Sequence, residues 1–197
     1  MPEMSRLEAV LCRSAPWRLL AREALLPWAL QGERLEGDVL EVGAGSGEMA
    51  AALLERFPSM RLTASDFDPA MVREIERRLR PFGGRATAAR EDATALSFAD
   101  GSFDAVLSFV MLHHVVAWER ALAELVRVLQ PGGLLLGWDM LKTRVFDRLE
   151  RTFGRGDERL IRLPELRPRL QELPLADVSV RPALGGIAVR FRGVKAA

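Results

Sequence analysis

Val39-Leu-Glu-Val-Gly-Ala-Gly-Ser-Gly47 carries the clearest structural signal in this chain of 197 residues. It is a short apolar strand with one carboxylate, followed by three glycines at alternate positions and a helix-forming run from Glu48. A strand that passes through glycine into a helix brings backbone N–H groups and a helix N-terminus close to a ligand. Glycine permits the closest approach. A plain tight turn between strand and helix is the alternative interpretation.

Beyond the glycines, strand-like and helix-like segments alternate along the chain. The predicted strands are Val39–Val42, Arg61–Ser65, Arg85–Arg90, Phe103–Phe109 and Leu134–Asp139. The predicted helices between them are Glu48–Arg56, Pro69–Leu79 and Arg120–Leu129, the last ended by Pro131-Gly132-Gly133. Strands and helices of this length in alternation predict a parallel sheet covered on both faces.

The last third of the chain predicts a different arrangement. Residues 142–163 indicate a helix and a connection, and Pro164 opens a short helix. Val178–Arg181 and Ile187–Arg192 flank a short turn and predict an antiparallel hairpin. The fold class is therefore α/β: a single Rossmann-like domain with a mostly parallel seven-stranded sheet that ends in an antiparallel hairpin, with helices on both faces.

Composition and charge exclude several function classes. Lys and Arg number 28 against 27 Asp and Glu, so the chain has no general attraction for nucleic acid or anionic membrane. Cys12 is the only cysteine, which excludes a disulfide framework and a thiolate metal cluster. The apolar stretch Leu19–Leu30 is interrupted by charges and is too short to span a bilayer. We therefore expect a cytoplasmic protein without integral membrane association.

Residues 1–34 predict an N-terminal helical cap with breaks at prolines, and residues 35–197 predict the main domain. We expect the cap and the segment after Asp139 to cover the substrate. The aromatic and cationic candidates in these parts are Trp17, Arg18, Trp28, Arg144, Phe146 and Phe153. The alternative role of the aromatic residues is to close the edge of the core. The arginines within residues 144–169 could attract an acidic substrate, but the acids between them favour a solvated helix face.

The carboxyl ends of the predicted strands carry polar residues. In an open α/β sheet, ligands bind at these ends, next to the point where the strand order reverses. The first strand contributes Glu41 and the glycine turn, the second Asp66, and the third Asp92. The fourth leads into the run from Ser108 to His114. Three carboxylates and a glycine loop are thus predicted to converge on one edge.

Asp66 follows the glycine turn by about 20 residues, which suits a ribose because a carboxylate accepts hydrogen bonds from both hydroxyls. This placement fits a nicotinamide dinucleotide equally well. The glycine spacing favours another ligand, because a dinucleotide fingerprint has its third glycine one position later, where this chain has Glu48. A carboxylate there would repel a pyrophosphate. The pattern favours a nucleoside without phosphates.

Five motifs together resemble those of the class I S-adenosylmethionine-dependent methyltransferases, in the small-molecule branch that includes quinone-biosynthesis methyltransferases. They are Val39–Gly47, Ala64-Ser-Asp-Phe-Asp-Pro69, Glu91-Asp-Ala93, Phe103–Ser108 through Leu112-His-His114, and Leu129-Gln-Pro-Gly-Gly133. The resemblance covers about residues 38–139 well and the closing hairpin more loosely. It implies that S-adenosyl-L-methionine is the cofactor and that a methyl group passes to a small molecule.

The resemblance also implies roles for individual residues. Glu41, Gly43, Ala44 and Gly45 would surround the methionine part of the cofactor, Gly47 would also belong to the cofactor-binding loop, and Asp66 would take the ribose hydroxyls. Phe67 would pack beside the adenine, Asp92 and Ala93 would bond its edge, and Ser108 and Phe109 would line the cleft near the methyl group. The structural alternatives are a helix N-terminal acid for Asp66, a turn former for Asp92 and a satisfied core hydroxyl for Ser108. Asp68 is interpreted as the cap of the helix that Pro69 begins.

His113 and His114 are the two histidines of the chain and the candidates for a catalytic base. In the family that this chain resembles, histidines at these positions often pack or orient loops. The role of catalytic base therefore stays open. A metal site is not expected, because adjacent histidines are predicted to point apart and no third ligand is evident.

Two other function classes remain open at this point. One is a regulator that binds S-adenosylmethionine without catalysis, and the other is a nicotinamide-dependent oxidoreductase. The sequence names neither the methyl acceptor nor an oligomeric state.

Overall fold

The computed structural model describes residues 20–141 and 161–197. Most of the predicted N-terminal cap and residues 142–160 of the segment after Asp139 lie outside these residues. So do the predicted substrate-covering residues Trp17, Arg18, Arg144, Phe146 and Phe153.

The described residues form one sheet of seven strands with helices around it. The strands are β1 (Gly37–Val42), β2 (Met60–Asp66), β3 (Ala86–Arg90), β4 (Phe103–Phe109), β5 (Leu129–Met140), β6 (Leu175–Ala183) and β7 (Ala188–Lys195). The helices are α1 (Leu26–Leu30), α2 (Glu48–Arg56), α3 (Pro69–Leu79), α4 (Trp118–Arg127) and α5 (Leu163–Glu172). A π-helical turn (Ala21–Leu25) precedes α1, and 3₁₀ turns cover Arg80–Arg85, Leu112–His114 and Leu184–Gly186.

The strand order is β3-β2-β1-β4-β5-β7-β6. Strands β1 to β5 pair in parallel, whereas β7 runs antiparallel to both β5 and β6. β1 lies between β2 and β4, so the strand order reverses beside it. The predicted fold class is confirmed, including the antiparallel hairpin at the end of the chain. The reversal creates a crevice at the carboxyl ends of β1 and β4, where ligands bind in sheets of this kind.

Two apolar layers cover the sheet, because successive strand residues point to opposite faces. Helices α1 to α3 cover one face, with buried residues that include Leu26, Leu53, Ile75, Leu62 and Leu107. Helices α4 and α5 cover the other, with buried residues that include Trp118, Leu122, Leu166, Leu40 and Val106. Because both faces of the sheet are buried, the strands have nearly continuous apolar sequences.

The described end of the N-terminal region packs on the core. Pro27 lies in the first turn of α1, and Trp28 stacks edge-on against Trp138 with 5.5 Å between the ring centroids. Arg190 lies over the Trp28 ring, 4.8 Å from its centroid, and donates a hydrogen bond of 2.9 Å to the Trp28 carbonyl. Of the two roles considered for Trp28, these contacts favour closure of the core edge.

The predicted boundary between the fourth helix and the fifth strand was wrong by a few residues. The helix ends at Arg127, and the strand already begins at Leu129, which pairs with Phe103. The N–H of Phe103 donates to the carbonyl of Val128 at 3.0 Å, so β4 stops the helix. The Pro-Gly-Gly sequence does not end the helix. It lies in an irregularity of the β4–β5 pairing, where Gly132 has a φ of +80°.

No helix in residues 20–141 and 161–197 is long and apolar enough to cross a membrane.

Gly137 allows β5 to pack tightly against β4 and β7, and its replacement provides a test of the packing. A Cβ there would overlap the ring of buried Phe191 and lie 2.7 Å from the Ser108 carbonyl oxygen. We expect Gly137→Ala to lower the free energy of unfolding by about 1–3 kcal/mol, measured by denaturant titration. Gly84→Ala is the matched control, because a Cβ on Gly84 meets nothing within 4 Å. Equal stability of the two variants would contradict this packing.

Candidate functional site

Glu41, near the carboxyl end of β1, is a buried acid without a full set of partners. Its side chain is 2% exposed, and its Oε2 atom makes no hydrogen bond among the described residues. Burial, together with the nearby charge of Asp66, raises the pKa of Glu41 to about 8. Such an orphaned acid costs stability, so its presence indicates a ligand group that completes it.

The glycine loop after β1 takes left-handed conformations that glycine alone adopts without strain. Gly43 has a φ of +72°, and a Cβ there would overlap Met111, so Met111 covers this glycine. Gly45 has a φ of +55° and faces open space, where a Cβ would meet nothing within 4 Å. Gly47 caps α2, with Ile75 of α3 close behind it. The loop is therefore packed on one side and open at Gly45. Ala44 holds it to β2, donating from its N–H to the Ser65 carbonyl at 2.9 Å.

Asp66 at the end of β2 ties two loops together. Its Oδ2 accepts from the Gly45 N–H at 2.9 Å, and its Oδ1 accepts from the Asp68 N–H at 3.0 Å. Burial raises the pKa of Asp66, and the N–H donors of Asp68 and Gly45 oppose that rise. The side chain thus anchors the glycine loop, which the sequence did not reveal. Asp68 accepts from the Ala70 N–H at 2.7 Å, which confirms the helix cap.

Glu48 has a different environment from the one the sequence suggested. Its carboxylate is paired with Arg78, and Arg22 lies 3.7 Å away. Arg78 also donates from Nε to the Ser46 carbonyl at 2.7 Å, so it joins α3 to the start of α2. The paired cations offset the negative charge of Glu48. Glu48 would therefore repel a pyrophosphate less than an unpaired carboxylate would. This weakens the argument against a dinucleotide that the sequence supplied.

Asp92 and Phe67 flank the outer part of the rim. Asp92 Oδ1 accepts from the N–H of Thr94 at 2.8 Å and from its hydroxyl at 2.7 Å. The Thr94 N–H is the main cause that holds the pKa of Asp92 below its ordinary value. These contacts match the turn-forming alternative for Asp92, and its role towards a base stays a prediction. Ala93 is buried, and the half-buried Phe67 ring has the Arg90 guanidinium 5.9 Å from its centroid.

Ser108 and Phe109 end β4 beside the crevice, and both are buried. Ser108 is 0% exposed, and its hydroxyl has no partner among the described residues, so the interpretation as a satisfied core hydroxyl was wrong. Val110 follows with a φ of +55°, a left-handed conformation that is strained for a β-branched residue. Its N–H donates to the Trp138 carbonyl at 2.9 Å, which fixes the turn. This strained turn delivers Met111 onto Gly43.

His113 is paired with an acid that the sequence analysis did not select. Its Nδ1 lies 2.6 Å from Oδ1 of Asp139, and both side chains are buried. Asp139 also accepts from the N–H of Leu112 at 2.8 Å and of Met140 at 2.7 Å. The rule that selected the acids at the ends of the first three strands also applies to the predicted strand Leu134–Asp139, and it would have found Asp139.

The two histidine rings lie close together. Their centroids are 3.9 Å apart with a tilt of 42°, so the expectation that adjacent histidines point apart was wrong. Within the part of the chain that the structure describes, no group of three His, Cys, Asp or Glu side chains could hold a metal ion.

The raised pKa of Glu41 predicts an unusual dependence of stability on pH. A carboxyl whose folded-state pKa is raised contributes most below its ordinary value of 4.5, and this contribution is lost as the pH rises towards about 8. We expect Glu41→Gln to gain stability relative to the wild type across this range, measured by denaturant unfolding without ligand. Exposed Glu76 provides the control Glu76→Gln. Parallel stability curves for wild type and Glu41→Gln would contradict the buried acid.

Comparisons with known proteins agree on one family. A family model described as a methyltransferase domain matches residues 39–133. The demethylmenaquinone methyltransferase of Thermus thermophilus is 36% identical over 124 residues, which cover 60% of this chain and 56% of the relative. The chain spans about half the length of the curated relatives it matches.

Solved structures share the fold at low sequence identity. A SAM-dependent methyltransferase from Aquifex aeolicus aligns with a TM-score of 0.73 at 19% identity, covering 98% of this chain and 99% of that chain. Phosphoethanolamine N-methyltransferase 2 of Haemonchus contortus, solved in complex with S-adenosyl-L-methionine, aligns with a TM-score of 0.74 at 14% identity. That alignment covers 98% of this chain and 61% of the other.

The matched residues contain the glycine loop, the acids after β1 to β3 and the end of β4. They therefore hold most of the rim described above. Residues 39–133 are therefore similar in sequence to the methyltransferase-domain family.

Proposed function

We propose that this chain binds S-adenosyl-L-methionine across the carboxyl ends of β1 to β4 and transfers its methyl group to a small molecule. The observation that carries the proposal is the buried Glu41, whose Oε2 has no partner. The cofactor's methionine end has an ammonium group, which would complete this acid. The resulting charge pair would favour the ionised carboxylate and lower its pKa on binding.

The remaining rim residues fit the other parts of the cofactor. The open space at Gly45 admits a ligand against the backbone, and Asp66 retains lone pairs for the ribose hydroxyls beside its two N–H donors. Phe67 offers a half-buried aromatic face for the adenine, and Asp92 with Ala93 offers groups for its edge. Ser108 contributes an unpartnered hydroxyl near the methyl position. The Haemonchus neighbour, with the same fold, was solved with this cofactor bound.

The bound cofactor supplies an electrophilic methyl group on a sulfonium sulfur that leaves as a neutral thioether. The protein's own contribution is then to hold the acceptor in line with that methyl and to exclude water. Met111 forms a buried apolar wall on Gly43 of the glycine loop, and Phe109 is buried at the end of β4, which suits this purpose.

The acceptor is proposed to be a small molecule, and a quinone-type ring is the first to test. The Thermus relative carries the name demethylmenaquinone methyltransferase, which supports this choice. The near balance of positive and negative charges gives no support to a role in nucleic-acid binding. A cytoplasmic location stays a prediction.

Replacement of Asp66 tests the cofactor site directly. We expect Asp66→Ala to weaken binding of S-adenosylhomocysteine by about 10- to 100-fold, because one or two charge-assisted hydrogen bonds are lost and Gly45 loses its anchor. Isothermal titration calorimetry measures the affinity. Asp38→Ala is the control, since Asp38 lies at the amino end of β1, where it pairs with Arg61 of β2. Equal affinity of the wild type and Asp66→Ala would remove the ribose assignment.

The activity itself is tested with radiolabelled S-adenosylmethionine and reduced demethylmenaquinone, followed by a fractionated metabolite extract. We expect label in an extractable small molecule and none without the chain. Tight binding of S-adenosylhomocysteine without transfer to any fraction would favour the non-catalytic regulator. Binding of NAD in preference to S-adenosylhomocysteine would favour the oxidoreductase.

A further inference from the structure

Two charged side chains, Glu48 and Arg78, connect the glycine loop to helix α3. We propose that Arg78 is a positioning residue for the cofactor, on which it acts through the carbonyl of Ser46, and that Glu48 orients the Arg78 side chain. The pair sets the affinity for the methionine end of S-adenosylmethionine and leaves the affinity for the nucleoside end unchanged. This inference rests on the proposed function and deepens it, because it assigns the conformation of the loop to two residues outside the proposed cofactor contacts.

Arg78 makes hydrogen bonds to two adjoining parts of the chain. Its Nε donates to the Ser46 carbonyl at 2.7 Å, and its Nη1 donates to the carboxylate of Glu48. A guanidinium holds its donors in a rigid fork, so these bonds fix the Ser46 carbonyl relative to the first residue of α2. The Arg78 side chain is 20% exposed and that of Glu48 is 9% exposed. Water and salt therefore screen this pair less than they screen an ion pair on the surface.

Neighbouring residues of the loop are held by different elements. The Gly45 N–H donates to Asp66 at the end of β2, whereas the Ser46 carbonyl accepts from Arg78 in α3. Gly45 and Gly47 have φ values of +55° and +73°, and glycine loses more conformational freedom on ordering than any other residue. Contacts on both sides hold the loop in one conformation before a ligand binds. The cofactor therefore loses less binding free energy to the ordering of this loop.

The effect concerns one end of the cofactor, because the loop and the ribose-binding acid are anchored separately. Residues 43–45 are proposed to contact the methionine part, and Asp66 is proposed to bind the ribose. Asp66 keeps an anchor of its own, since its Oδ1 accepts from the Asp68 N–H at 3.0 Å. The hydrogen bonds of Arg78 go to the loop and to α2 instead. Loss of Arg78 would thus free the loop while Asp66 stays in place.

The alternative role of Arg78 is to attach α3 to the rest of the fold. Helix α3 already has apolar contacts for that purpose, because Met71, Ile75 and Leu79 are buried. A Cβ on Gly47 would lie 3.3 Å from the Ile75 Cα, so α3 packs closely on the start of α2 without a charged group. The hydrogen bond from Arg78 to a loop carbonyl therefore acts on the loop more than on the docking of α3.

Two ligands separate the positioning role from a structural one. S-adenosylhomocysteine contains the amino-acid end of the cofactor, whereas 5′-methylthioadenosine lacks it and keeps the ribose and the adenine. We expect Arg78→Ala to weaken binding of S-adenosylhomocysteine by about 10-fold, because a charge-assisted hydrogen bond that orders the loop is lost. Binding of methylthioadenosine should weaken by less than about twofold, because its contacts do not depend on the loop. Isothermal titration calorimetry on the full chain measures both affinities.

Arg77→Ala is the matched control. Arg77 is the neighbouring arginine of α3, its side chain is 67% exposed, and it pairs with Glu74 of the same helix. We expect this variant to bind both ligands with the affinity of the wild type. If Arg78→Ala does not fold, Arg78→Lys provides the comparison. Lysine keeps the charge but lacks the fork of donors, so we expect a loss of about threefold for S-adenosylhomocysteine alone.

Glu48→Gln tests whether Glu48 acts through Arg78. Glutamine keeps a hydrogen-bond acceptor but removes the charge, so we expect the same selective loss at about threefold. In the Arg78→Ala background, Glu48→Gln should cause no further loss, because its partner is already absent. A further loss of the same size would show that Glu48 acts on the loop independently, which overturns its assignment as the residue that orients Arg78.

Steady-state kinetics give a second readout with the acceptor found by the labelling screen. We expect Arg78→Ala to raise KM for S-adenosylmethionine by about 10-fold and to keep kcat within about twofold of the wild type, because the pair acts on cofactor binding and not on the methyl transfer itself. A fall in kcat with an unchanged KM for S-adenosylmethionine would contradict this role.

The outcomes separate this inference from the proposed function. If the wild type binds S-adenosylhomocysteine and Arg78→Ala loses affinity for both ligands equally, Arg78 has a structural role and the inference is wrong while the cofactor assignment stands. Unchanged affinity of Arg78→Ala for S-adenosylhomocysteine has the same consequence. A wild type that binds neither ligand overturns the cofactor assignment and this inference together.

Discussion

The parallel pairing of β1 with both β2 and β4 is the constraint on which this molecule depends. Because β1 has its sequence successors on both sides, the strand order reverses beside it, and the carboxyl ends of three strands open into one crevice. Glu41 and Asp66 lie on adjacent strands, close enough for the charge of one to affect the other. The glycine loop starts directly after the end of β1.

The crevice concentrates features that would be costly elsewhere in the protein. Glu41 is a buried acid with an unpartnered oxygen, Ser108 a buried hydroxyl without a partner, and Val110 a strained β-branched residue. Each lies within a few residues of a strand's carboxyl end. Stability is lost at such positions, and they persist where the surrounding structure holds them in place. Their concentration on one rim supports the location of the site independently of the sequence similarity to methyltransferases.

Two side-chain networks make the rim rigid. Asp66 joins the glycine loop to the start of α3, while Arg78 joins α3 to the start of α2. On the other side of the crevice, Asp139 holds the Leu112–His114 turn through the N–H of Leu112 and a ring nitrogen of His113, and it also accepts from the N–H of Met140 in its own strand. Ligand-binding groups whose own positions are fixed by such contacts lose little freedom on binding. Asp66 and Asp139 therefore fix the positions of the loops along this rim.

Local pattern was enough to predict most of the fold and part of the site. Strand β4 and helices α2 and α3 begin and end where their apolar periodicity and capping residues predict, because these signals are local. The acids Glu41 and Asp66 were also predictable, since each follows an apolar strand and the carboxyl ends of parallel strands meet. The end of α4 was not predicted, because a hydrogen bond from Phe103, more than twenty residues earlier, stops that helix.

The sequence by itself determined the alternation of strands and helices, the glycine loop and the identity of the acids at the strand ends. Only the tertiary structure decided what those groups contact. The pairing of His113 with Asp139, the cover of Met111 over Gly43 and the neutralisation of Glu48 by Arg78 all join residues distant in the chain. The physical reason is that hydrogen bonds, steric overlap and burial act through space. A side chain's partners and its pKa are therefore set by the strands and helices that fold against it.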